Sequence, residues 1–144
     1  MDIWRALKHF KPHENWGNSK KINGMLLLLL DEITEQVKSY SLCNYNKNSP
    51  CIIHCAYETS GHSPNSQHYK GNAADFHFSN IPPFKTYETI IKVLKDTQTE
   101  NFVGLGVYPD WINPGFHLDA RGEKARWSRI NDVYKSINDG LNKL

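Results

Sequence analysis

Between Ser60 and Phe78 the chain places His62, His68, Asp75 and His77, three imidazoles and a carboxylate within nineteen residues. Both groups are ordinary ligands of Zn²⁺, and both carry protons in general acid–base catalysis. A solvated loop has no need of this density, and a core strand excludes it. Further on, Phe116-His117-Leu118-Asp119 sets another imidazole and carboxylate two residues apart. Two histidines and one aspartate would leave one tetrahedral position for water, as catalytic zinc sites do. On these residues alone the alternative is a hydrogen-bonded His–Asp patch on an exposed sheet face.

Strand alternation sorts these side chains. In 73–78, Ala74, Phe76 and Phe78 point one way, Asp75 and His77 the other. In 115–119, Phe116 and Leu118 oppose His117 and Asp119. If the two strands are neighbours, their polar groups share one patch. His68 lies in a loop that Gly71 can fold back over the first strand.

The remaining elements must hold that patch against a core. Asp2 caps a short helix with Trp4, Leu7 and Phe10 on one side. Apolar positions at helical spacing, Leu26, Leu27, Leu30, Ile33 and Val37, predict the main core helix over 22–40. Turn residues fill 44–50. Strands are expected at 51–57, 73–78, 102–108 and 115–119, and a helix at 87–94. Trp127, Ile130, Tyr134, Ile137 and Leu141 predict a closing helix. The pattern is α+β, a small, mostly antiparallel sheet packed against helices.

With 144 residues and 39% hydrophobic content, the chain reads as one domain, 1–144, expected to be a monomer. A net charge of +2, with basic residues scattered, offers no nucleic-acid-binding face. The apolar run 25–30 is six residues long and ends at Asp31 and Glu32, so no membrane span is expected. The start of the chain lacks the apolar segment of a secretory signal, which predicts a cytoplasmic location as synthesised. Cys43, Cys51 and Cys55 lack zinc-knuckle spacing and read as free thiols. A Cys43–Cys51 bridge is the alternative in an oxidising compartment.

The segment Ser66-Gln67-His68-Tyr69-Lys70-Gly71-Asn72-Ala73-Ala74-Asp75 resembles the S-x-H-x-x-G-x-A-x-D motif of the D-Ala-D-Ala metallopeptidase family. This family holds zinc carboxypeptidases, murein endopeptidases and phage endolysins. The resemblance implies that His68 and Asp75 bind Zn²⁺. It implies a third ligand in a strand after a G-x-G-x-Y segment; here Gly104-Leu105-Gly106-Val107-Tyr108 leads to His117. Weaker likenesses at 7–14 and at Arg126-Trp127 extend it over most of the chain. The stretch 61–75 is also similar to the zinc-containing N-terminal domain of hedgehog proteins, which shares the fold and carries a histidine at the place of His62.

Two departures bear on function. Glu58 stands where many wall peptidases of the group carry a substrate-holding arginine. Pro114 stands where several carry a glutamate base. Asp119 is then the first candidate for general base and Asp110 the second, with an orienting role for Asp119 as the alternative. His62 is a candidate donor to an oxyanion. His77 reads as a neighbour of the site, Ser66 as a shaper of the ligand loop, and Tyr108, Trp111 and Phe116 as a substrate wall. The resemblance implies a zinc peptidase cutting D-residue-containing peptides of peptidoglycan, and the small single domain suits a phage lysis enzyme released onto the wall. A catalytically inactive zinc-containing binding module is the alternative.

Overall fold

Asn23 starts the main helix: its side-chain oxygen accepts from the N–H groups of Met25 and Leu26. That helix, α1 (Gly24–Tyr45), closes on Asn46 in the left-handed conformation. Leu26, Leu30, Ile33 and Val37 form its fully buried stripe. A second helix, α2 (Pro83–Asp96), begins on a proline and buries Ile90, Val93 and Leu94. The computed structural model describes residues 2–144.

The two helices share one hydrophobic cluster with a six-stranded sheet. Its strands are β1 (Cys51–Cys55), β2 (Ala73–Phe78), β3 (Gly104–Tyr108), β4 (Gly115–Asp119), β5 (Ala125–Ile130) and β6 (Val133–Lys135). Their order is β1-β2-β4-β3-β5-β6. Only β3 and β5 pair in parallel; the other neighbours are antiparallel. Phe76, Leu105, Val107, Phe116 and Leu118 supply the sheet's share of the core. Fully burying one such side chain contributes about 1.5–3 kcal/mol. A short helix, α3 (Ile137–Leu141), ends the chain. Its Gly140 packs so tightly on Ser128 that a Cβ would sit 2.4 Å from the Ser128 Cβ.

The β1 edge is closed by the N-terminal segment. Asn15 Nδ2 donates to the carbonyls of Ile53 and His54, which removes acceptors that would otherwise invite another strand. Trp16 anchors that segment, fully buried edge-on to Phe10.

The α+β class and the sheet face holding Asp75 and His117 agree with the sequence reading. Three expectations are corrected. The closing helix is instead the β5–β6 hairpin followed by α3, turning on Asn131 and Asp132, both with positive φ. The first helix is only a 3₁₀ turn, Ile3–Arg5, although Asp2 does cap it. Phe116 is a core residue rather than part of a substrate wall. All three cysteines are free, with Cys43 exposed. Among the described residues, no helix is long and apolar enough to cross a membrane.

Candidate metal centre

The loop before β2 is built to present His68. Ser66 Oγ accepts from the His68 N–H and starts a 3₁₀ turn, Gln67–Lys70, which ends on Gly71 at φ +71°. There a Cβ would fall 1.9 Å from the Lys21 carbonyl oxygen, so only glycine fits. The Gly71 carbonyl in turn accepts from the N–H of Asn23. Ligand loop and helix cap are thus one hydrogen-bonded unit.

His68 is 2% exposed. Its Nδ1 lies 2.7 Å from the Ala56 carbonyl. A carbonyl only accepts, so Nδ1 carries the proton and the Nε2 lone pair is left for the site. Nε2 is 3.4 Å from Asp75 Oδ2. Sheet register puts Asp75 opposite His117, and His117 Nδ1 reaches Asp75 Oδ1 at 2.8 Å. The ligand atoms of His68, Asp75 and His117 all lie within 4.8 Å of one another, so these three buried residues can together hold a metal ion.

Electrostatics ties the set together. Burial on its own would lower the pKa of His117, but the hydrogen bonds that its ring donates to Asp119 and Asp75 outweigh it and raise it to about 9. Burial likewise works against the Asp75 carboxylate, yet His117 and His68 hold it well below the usual carboxylate range. A cation bound here takes the place of the His117 proton. Cys55, paired in register with Asp75, donates its thiol to Asp75 Oδ2 at 3.4 Å. Burial first, then Asp75, pushes that thiol's pKa up and keeps it a donor.

Asp119 stands behind His117, with Oδ2 2.7 Å from Nε2. Arg121 forks onto both its oxygens through Nε and Nη2, and the N–H groups of Arg121 and Gly104 donate to Oδ1. Gly104 must be glycine, because a Cβ would lie 2.5 Å from Asp119 Oδ2. The carboxylate is fully buried and its oxygens are engaged. It has no free lone pair for a water, which corrects the expectation that it leads as general base. The geometry is that of a carboxylate orienting the His117 imidazole.

A cleft of about 590 Å³ opens over the triad, and Asp110, His62, Tyr108 and Trp111 are on its wall. Asp110 is exposed, with Oδ2 accepting from the Asn131 N–H at 2.5 Å. His62 stacks on His68 with ring centroids 4.3 Å apart. Burial, then the nearby His68, holds its pKa below the ordinary histidine value. The Tyr69 hydroxyl accepts from the His62 N–H and donates to its carbonyl, pinning that backbone. His77 is not in the triad; its Nδ1 is 2.6 Å from His54 Nε2.

Sequence reasoning passed over His54, Arg121 and Arg129. Arg121 carried a signal, since it continues the alternation two residues past Asp119. Trp127 falls in the closing helix that the apolar spacing predicts. In the structure it packs against His117 and covers Gly106, where a Cβ would meet its Nε1 at 2.6 Å. No family model, curated protein or solved structure significantly matches this chain.

Proposed function

We propose that the chain is a zinc peptidase acting on D-residue-containing peptides of peptidoglycan, with a fold of the hedgehog and D-Ala-D-Ala metallopeptidase kind. One observation carries the reading. His68 and Asp75, the two polar fixed positions of the S-x-H-x-x-G-x-A-x-D segment that suit a metal, converge with His117 from 42 residues beyond Asp75. Nitrogen and oxygen donors in a three-residue set suit Zn²⁺ with an open position.

Zinc in such a site polarises a carbonyl and makes a water more acidic. The chain's own residues do the rest. Ala56 and Asp119 fix the two imidazoles, each through the nitrogen turned away from the triad. Asp110, an exposed carboxylate on the cleft wall, accepts the proton of the attacking water and returns it to the leaving amine. His62, also on the wall, donates to the developing oxyanion. Tyr108 and Trp111, stacked with centroids 4.7 Å apart, form a flat wall for the peptide.

The engagement of Asp119 favours a second reading, a metal-bearing binding module, because it leaves the exposed Asp110 and Asp132 as the cleft-wall acids available for the chemistry. Mass spectrometry of muropeptides incubated with zinc-loaded protein separates the two. New peptide fragments that disappear with Asp110→Asn support the peptidase. Intact muropeptides after prolonged incubation support the module.

A further inference from the structure

Sheet register aligns Cys55, Asp75, His117, Gly106 and Trp127 in one row across the open face. Two residues further along β3 and β5 lies a parallel row containing Tyr108 and Arg129. Tyr108 pairs with Gly115, and Arg129 with Tyr134. Trp111 fills the space over Gly115, where a Cβ would lie 2.4 Å from its ring. The second row is thus an aromatic band beside the triad with one guanidinium in it.

Among the described residues, two arginines line the cleft, Arg121 and Arg129. Arg121 is occupied by Asp119. The guanidinium of Arg129 lies over the Tyr134 ring, and its nearest acid is Asp132 at 3.4 Å, a side chain 93% exposed. An exposed pair of that kind is weak and exchanges readily with a better partner. The other charged groups on the cleft wall include Asp75, Asp110 and Asp132, which would repel an anion.

We infer that Arg129 anchors a carboxylate of the bound peptide and sets a preference for an acidic peptide over its amide. This rests on the peptide-binding reading above. β5 lies two strand spacings from β4, about 10 Å, and an extended chain covers about 3.3–3.6 Å per residue. The carboxylate therefore belongs about two to three residues from the group placed at the triad. A terminal α-carboxylate and an acidic side chain both meet that condition.

The test is calorimetric titration of zinc-loaded protein with the pentapeptide L-Ala-γ-D-Glu-L-Lys-D-Ala-D-Ala, its C-terminal amide, and its D-isoglutamine form. Mass spectrometry follows cleavage in the same samples. One amide should bind about 10- to 100-fold more weakly than the acid, the range of a hydrogen bond to a charged group. Which amide it is identifies the source of the carboxylate. Arg129→Gln should weaken the acid by the same factor and leave that amide unchanged. Asp132→Asn removes the competing acid and should tighten the pentapeptide about two- to fivefold, a gain that a folding defect does not produce. Equal binding of all three peptides, no binding of the acid, or an Arg129→Gln variant that discriminates as wild type does overturns the anchor. Carboxylate-dependent binding without cleavage supports the anchor and counts against the peptidase. Cleavage that is indifferent to Arg129 does the reverse.

Discussion

His117 and Asp119, two apart on β4, meet side chain to side chain, Nε2 to Oδ2 at 2.7 Å. Arg121 clamps the carboxylate from the other side. The imidazole is therefore fixed with Nδ1 toward Asp75 before any ion arrives. Losing such an outer partner typically costs about 10- to 100-fold in metal affinity. Asp119→Asn should weaken zinc by that factor in a competition titration against a chromophoric chelator. Unchanged affinity would contradict the orienting role.

Asp110 lies on the cleft wall, apart from the ligands, and its removal should spare the metal. Asp110→Asn is expected to bind zinc as wild type does and to lose about 10²- to 10⁴-fold in muropeptide hydrolysis. If Asp110→Asn stays fully active, the proton acceptor is another group.

The pH response of the triad follows from His117, whose pKa is raised to about 9. Its unfolded value is about 6.5, so this proton stabilises the metal-free chain below about pH 6.5 and ceases to do so through about pH 9. On the proposed reading, a zinc ion held by His117 displaces the same proton. Zinc affinity should rise about tenfold per pH unit toward pH 9 and level off above it. Thermal melts should then show the metal-free chain losing stability over a window in which the zinc-bound increment grows. A flat affinity profile between pH 7 and 9 would remove His117 as the proton-displacing ligand.

What the sequence shows depends on how local each signal is. The alternation in Asp75-Phe76-His77 and Phe116-His117-Leu118 places Asp75 and His117 on one face, and the cleft opens over that face. Asp119 was legible as a neighbour of His117 but not in its role. That role depends on Arg121 and on the missing Cβ of Gly104, across a strand pairing no short window contains. The C-terminal segment misled because residues 127, 130, 134, 137 and 141 match helical spacing by coincidence. The stronger local signal was Asn131-Asp132, two residues that tolerate positive φ and turn a hairpin. β5 then joins β3 in parallel, a non-local pairing that carried Arg129 and Trp127 into the cleft unforeseen.

Gly71 offers a test of the link between helix cap and ligand loop. It sits at φ +71°, and a Cβ there would strike the Lys21 carbonyl at 1.9 Å. Gly61 is at φ +89° in the same loop region, but a Cβ there meets nothing within 4 Å. Alanine at either site bears the left-handed backbone penalty, about 1–2 kcal/mol. At Gly71 it must also push the Lys21 backbone away, and with it the Asn23 cap that holds the Gly71 carbonyl. Gly71→Ala should therefore lower the melting temperature by several degrees more than Gly61→Ala. It should also weaken zinc, because His68 lies three residues earlier in the same turn. Gly61→Ala should leave zinc affinity within about twofold of wild type, there being no packing to disturb. Equal melting temperatures and equal zinc affinities for the two variants would show that loop and cap are not coupled.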